Sequence, residues 1–346
     1  MKIIKYLANL KLLNFCLLWL MIILAIGTIE QKNIGLFSAQ EKYFYSLYFK
    51  YSFLYLPGGG LTMSVFSISL IAQLISKTQY SNFKKIGITL SHIGVLTLML
   101  GALYTNLFGT EGSIILKEGE TKDQFLDYKD YSLLFLDKNS FKPLISFRLK
   151  EIEKNNSNIM IRNFFNNCDL KNNTSPSSNE IGFSQMFTFV NSTSKETNMK
   201  CLEFTYRKNI YRVFTDMPKN QSIEYNGNLY DAVLSNTALN LPFKIQLTDF
   251  QKEFHQGTML SKSFKSYVKI INKNISTDHL IEMNKPLRYG GYTFYQSSFS
   301  ENSEGEYSEL TVVKNDAASI PYISTIIIFL GLLIHLIINF RKYFYE

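Results

Sequence analysis

Two hydrophobic patterns divide this chain. Four stretches are continuously apolar, at about residues 12–28, 61–76, 86–108 and 320–340. None contains Asp, Glu, Lys or Arg. Runs of this kind approach or exceed the length an α-helix needs to cross a bilayer, and the first two sit at the short end of that range. Between the third and fourth runs the pattern changes to period two. Phe243-Lys244-Ile245-Gln246-Leu247 alternates apolar and polar, as does Leu202-Glu203-Phe204-Thr205-Tyr206. Residues 267–271, 292–299 and 310–313 read as further strands. The pattern predicts a membrane protein of four transmembrane α-helices, with a large, mainly antiparallel β domain over residues 109–319. Residues 1–108 then form the membrane part, and residues 320–346 the fourth span and its tail. The Asn- and Ser-rich stretch at 165–180, with Pro176, reads as a flexible loop. Between the first two spans, Phe44, Leu47, Tyr48, Tyr51 and Tyr55 follow helical spacing. They predict an interfacial aromatic helix over about 37–55, ended by Pro57-Gly58-Gly59-Gly60.

Charge orients these spans. Lys2, Lys5, Lys11, Lys77, Lys84, Lys85, Arg341 and Lys342 flank the apolar runs, with Glu346 as the only acid among them, and carry nearly all of the net charge of +8. Positive charge beside apolar helices marks the cytoplasmic side. Both termini are therefore expected in the cytoplasm and the 109–319 domain outside, in the periplasm or an equivalent compartment. The same clustering argues against nucleic acid as a partner and for the lipid bilayer. Ala25-Ile26-Gly27 also resembles a signal-peptide cleavage site, which leaves removal of the first segment open. Cys168 and Cys201 lie in the outer domain, where they are either a disulfide or two unrelated thiols. No C-x-x-C occurs, so neither a thioredoxin-type site nor a haem-attachment site is present.

The chemistry-bearing residues of the spans are two histidines. His92 lies in the third run and His335 in the fourth. An ionisable side chain in a membrane helix is costly and marks a functional site by default. Imidazole is also an axial ligand of haem iron. His92 is about six residues, or roughly 9 Å, from the cytoplasmic end of its span, and His335 about five residues from the same end of its own. The spacing therefore predicts similar depth. Three readings follow: His92 paired through iron with a histidine of another subunit, His92 and His335 on one haem, or histidines bonded to neighbouring helices. Gly87, Gly94 and Gly101 recur every seven residues and would admit a flat macrocycle or another helix. His255 and His279, beside the strands, read as surface residues. No phosphate loop, H-E-x-x-H or nucleophile elbow appears.

An ordered set of motifs resembles the ResB-like family of cytochrome c biogenesis proteins, the membrane partner of the System II haem-attachment machinery. Gly27-Thr28-Ile29-Glu30-Gln31 closes the first span, Ser91-His92-Ile93-Gly94 matches the third-span histidine motif, and Lys117-Glu118-Gly119-Glu120 opens the outer domain. Leu241-Pro242-Phe243 follows, and the most specific string is Asn284-Lys285-Pro286-Leu287-Arg288-Tyr289-Gly290-Gly291-Tyr292-Thr293-Phe294-Tyr295-Gln296-Ser297-Ser298. Where the family has Asp-Pro-Gly before the last span, this chain has Asn315-Asp316-Ala317-Ala318.

The resemblance implies haem delivery for covalent attachment to apocytochrome c, as one subunit of a membrane holocytochrome c synthase. It implies a membrane partner with a tryptophan-rich motif, which this chain lacks, Trp19 being its only Trp. It also implies non-covalent haem b, shared with that partner and ligated by His92. Arg288 is a weaker candidate, for a haem propionate or an acidic partner, with stabilisation of a turn as its other reading. The chain is expected to be a non-catalytic or partly catalytic subunit. Two alternatives remain: a haem b electron-transfer subunit using His92 and His335, and a haem-free assembly scaffold.

Overall fold

The computed structural model describes residues 2–77, 85–138, 140, 142–152, 158–192, 199–215, 217, 221–254, 257, 261–273, 275–302 and 305–345. It divides into two compact units.

The first unit is helical. A short helix α1 (Lys2–Leu7) precedes α2 (Leu10–Ile34), whose N-terminus is capped by Asn9 accepting from the amide of Lys11. Asn is a favoured cap because its side chain satisfies an orphan helix N–H. A short α3 (Leu36–Ala39) runs into a single π-helical stretch, Gln40–Tyr45. Then come α4 (Gly59–Lys77) and α5 (Ile86–Phe108), and after the β domain the last helix, Ile320–Tyr345. Four of these helices are long and apolar enough to cross a membrane, as their apolar runs predicted. The first is unbroken through Ala25-Ile26-Gly27.

The expected helix over 37–55 is not one element. Helix ends at Tyr45, and strands β1 (Tyr48–Tyr51) and β2 (Leu54–Pro57) form a hairpin about Ser52, whose φ of 54° a helix cannot hold. Phe44, Phe49 and Leu56 pack with Ile23, Tyr43 and Trp19, while Tyr45, Tyr48, Tyr51, Phe53 and Tyr55 stay outside. Aromatic residues suit strands as well as helices, so the three-to-four spacing was a coincidence of side chains from two short strands.

The second unit holds fifteen of the described strands. These are β3 (Thr110–Lys117), β4 (Thr121–Asp137), β5 (Pro143–Arg148), β6 (Ile159–Phe165), β7 (Cys168–Asn172), β8 (Phe187–Asn191), β9 (Cys201–Tyr206), β10 (Asn209–Phe214), β11 (Gln221–Tyr225), β12 (Asn228–Phe254), β13 (Ser261–Asn272), β14 (Ile275–Glu282), β15 (Leu287–Tyr289), β16 (Tyr292–Asn302) and β17 (Gly305–Lys314). Short helices α6 (Leu149–Ile152) and α7 (Phe183–Met186) interrupt them, which makes the last span α8. The main sheet is antiparallel, in the order β14-β13-β12-β4-β3-β17-β16-β15, with β5 and β11 at its side. Alternation decides what is inside: Ser308, Leu310 and Val312 of β17 are buried while their neighbours are not.

The long strand β12 serves two cores. Up to Asn240 it pairs with β4, and from Lys244 it pairs with β13. The register breaks across Leu241-Pro242-Phe243, where Pro242 has no N–H for a ladder. One core gathers Ile114, Phe243, Ile245, Val268, Phe294 and Leu310. The other sets Leu133, Phe135 and Leu234 against Leu202, Phe204 and Val213 of the smaller β10-β9-β6 sheet.

Only the first half of the stretch at 165–180 departs from the loop that its composition predicted; residues 173–179 are turn and irregular backbone, mostly exposed. β7 pairs with β8, and a disulfide joins Cys168 to Cys201, both fully buried. Beside it Arg212 donates from Nε to Glu203 at 2.7 Å and pairs with Glu180 at 2.8 Å. Burial pushes the Glu180 carboxyl up. The Ser177 amide, the Asn173 side chain and the Arg212 guanidinium outweigh that and hold it below the ordinary glutamate value.

Candidate functional site

The third and fourth spans, α5 and α8, pack against each other along the glycine row. A Cβ on Gly87 would stand 2.5 Å from the backbone N of His335, and one on Gly94 would stand 2.6 Å from the Ile328 side chain. Small residues let helix backbones approach in a membrane, where packing rather than water drives association. The row therefore holds a helix, and leaves no room there for a macrocycle.

This packing fixes where the two histidines stand. Gly87 lies opposite His335 and Gly94 opposite Ile328, so the helices are antiparallel. His92 is level with about residue 330, some five residues or roughly 7.5 Å along the axis from His335. Two residues from Gly94, it also stands about 160° around α5 from the glycine row. The similar depth predicted from the span ends does not survive this register, and the two imidazoles are not brought together.

Their surroundings differ as well. His335 lies in the packed seam, with its Nε2 3.0 Å from the Asn339 amide nitrogen one turn on. Its Nδ1 is buried and has no hydrogen-bond partner among the described residues. The i, i+4 pairing of His335 with Asn339 is visible in the sequence and went unread there. His92 is half-buried and makes no hydrogen bond among the described residues. A polar ring in a span without a partner carries an uncompensated desolvation cost. Of the two, His92 fits an iron ligand, because its ring is uncommitted and on the face away from α8. The backbone of His335 lies against α5 at Gly87, and its ring spends Nε2 on Asn339 of its own helix.

In the β unit Arg288 is exposed on β15, opposite Thr293 of β16, and has no acidic partner among the described residues. The turn that follows it is Gly290-Gly291, with φ of 58° and 82°. Two positive φ values are what a type I′ two-residue hairpin requires, and Gly supplies them without strain. Tyr289 and Tyr292, on either side, pack edge-on against Phe243, which lies 4.9 Å and 5.9 Å away. The distinctive string is thus a rigid hairpin on an aromatic base, presenting Arg288 outward. His279 is half-buried on β14, bonded to Thr277 at 2.9 Å, and not a free surface residue. His255 lies outside the described residues. No cluster of three or more metal-ligating side chains occurs among the described residues.

Four apolar spans and an antiparallel β domain define the class: a multi-span membrane protein with one large β-rich insertion before its last span. Residues 204–319 match the ResB-like family, a range that takes in the Leu241-Pro242-Phe243 motif and the β15–β16 hairpin. Protein NrfI of Wolinella succinogenes is 23% identical over 341 residues, which cover 96% of this chain and 35% of NrfI. The chain is similar to the ResB-like family over residues 204–319 and to NrfI along nearly all of its own length. It spans about a third of the length of NrfI.

Proposed function

We propose that this chain handles haem for covalent attachment to apocytochrome c, as one subunit of a membrane holocytochrome c synthase. The observation that carries the reading is His92: an imidazole in a span, half-buried, without a hydrogen bond among the described residues, on the face of α5 away from α8. Such a ring needs a partner from outside. Haem b held without a covalent bond fits, with the opposite iron ligand coming from the tryptophan-rich partner that the family resemblance implies. Bound there, haem supplies the vinyl groups to which apocytochrome thiols add.

The outer domain lies in the periplasm or its equivalent on this reading, with both termini cytoplasmic. It offers the apocytochrome a rigid surface, and Arg288 offers a forked cation to a propionate or an acidic segment. The electron-transfer reading needs His92 and His335 on one iron, and their faces oppose it. The scaffold reading needs neither ring.

The test is maturation of a reporter c-type cytochrome in cells that carry this chain and its partner as their only synthase. His92→Ala abolishes covalent haem attachment, while His335→Ala leaves most of it. Equal activity of His92→Ala and the unmodified chain overturns the proposal and favours the scaffold. Equal loss in both variants favours the paired-histidine reading.

A further inference from the structure

The β unit has two apolar cores with no residue in common. One lobe sets β3, β13, β14, β15, β16 and β17 around Phe243 and Phe294. The other sets β5, β6, β9, β10 and β11 around Phe135 and Phe204. Among the described strands only β4 and β12 run through both. Both links to the spans, Gly109 and residues 315–319, leave from β3 and β17 of the first lobe. The second lobe therefore hangs from two strands. Between the cores neither strand is regular. Ala238 pairs with Leu126 and Asn236 with Tyr131, so residues 127–130 of β4 stand against Thr237 of β12. Such unequal pairing is a bulge, which disrupts the ladder and bends the strand. Polar groups fill the crossing, where Asp127, Ser132 and Thr237 are buried. The Asn236 amide donates to the Asp127 carbonyl at 2.7 Å, and the Ser132 and Thr237 hydroxyls lie 2.8 Å apart. Asp130 of the bulge pairs with Lys150 of α6. Leu126, Tyr128 and Ala238 are exposed and do not brace the crossing.

We propose that this crossing is a hinge, about which the second lobe swings relative to the first. Each lobe keeps its own close-packed core, and interlocked apolar side chains resist continuous deformation. The crossing has no such core. Its hydroxyls and amide can trade partners with one another or with water as the strands bend. Residues 127–130 and Thr237 absorb the change in backbone angles, as the few residues of a hinge do. The Asn236–Asp127 bond spans the bulge and latches one position of the lobe. The inference concerns motion within the β unit and stands apart from the haem chemistry proposed above.

Pulsed spin-label distances on the full chain in detergent test this, in a Cys16→Ser background with the Cys168–Cys201 disulfide intact. All labels go at exposed positions. Leu144→Cys with Ser276→Cys spans the hinge. Leu144→Cys with Met186→Cys reports within the second lobe, and Ser276→Cys with Ser300→Cys within the first. The distribution across the hinge is expected to be split, or about twice as wide as either distribution within a lobe. A distribution across the hinge as narrow as those within the lobes overturns the proposal. Equal breadth in all three overturns it too, in favour of a loosely packed unit. Asn236→Ala removes the latch and leaves both cores untouched. It should shift or widen the distribution across the hinge while the distances within each lobe stay fixed. An unchanged distribution overturns the latch.

Discussion

Replacing Arg212 by Met removes the cation that organises the 165–190 region. The guanidinium pairs with Glu180 and Glu203 at 2.8 and 2.7 Å and donates to the Ser184 and Phe187 carbonyls at 2.8 and 3.2 Å. Its side chain is 8% exposed, so water does not replace it. Removing one partner of a buried ion pair costs about 3–5 kcal/mol, chiefly because the other charge is stranded. For a domain of this size about 1 kcal/mol moves the melting midpoint by roughly 2–4 °C, which gives a fall of about 6–20 °C. The assay is thermal unfolding of the full chain in detergent, with accessibility of the disulfide to reductant as a local readout.

The pH dependence gives the sign. In the native chain the Glu180 carboxyl lies below its ordinary value, so its contribution is complete above the ordinary glutamate range. That contribution drains away as the pH falls through the lowered folded value. In the variant, only the Ser177 amide and the Asn173 side chain oppose burial, so the same carboxyl lies higher than in the parent and acid relieves the stranded charge. The gap between the two proteins should therefore narrow as the pH falls towards 4, an approximate figure set by the ordinary carboxylate range. Adding Glu180→Gln and Glu203→Gln should restore part of the midpoint. A variant as stable as the parent at neutral pH, with a protected disulfide, refutes this reasoning.

Other perturbations have equally definite outcomes. Opening the Cys168–Cys201 bond, which closes a loop of sequence separation 33, should cost about 3–4 kcal/mol by loop entropy, read as a lower melting midpoint in Cys168→Ser. Phe294→Ala, at a fully buried position, should cost about 3–5 kcal/mol in the same melt. Gly94→Leu should disrupt the α5–α8 seam, since even a Cβ meets Ile328 at 2.6 Å; the check is loss of crosslinking between cysteines placed across the seam. Gly291→Val should strain the β15–β16 turn through its φ of 82°, although open space surrounds it, and should raise proteolysis there.

Much of the fold was legible because its signals are local. The four spans follow from apolar runs without a charge, and the strands at 202–206, 243–247 and 310–313 from strict alternation. The errors came where distant residues decide. Asn and Ser at 165–180 carry no local sign that Glu180 will meet Arg212 or that Cys168 will meet Cys201. Five aromatic and Leu positions between the first two spans matched a helical period, yet the Ser52 turn makes a hairpin of them. The Gly87, Gly94, Gly101 row was plain in the sequence, but its occupant was not. Once α8 fills it, the register separates His92 from His335, which counting from the span ends could not reveal. His92 itself stood out at once, because an imidazole in an apolar run is rare and costly.

The most direct measurement of the central claim is the absorption spectrum of the detergent-purified complex of this chain with its partner, taken with His92 intact, as His92→Ala and as His335→Ala. The account predicts haem bands in the intact complex that fall or shift in His92→Ala and persist in His335→Ala. Matching spectra for the intact and His92→Ala complexes would contradict it and place the haem site wholly on the partner.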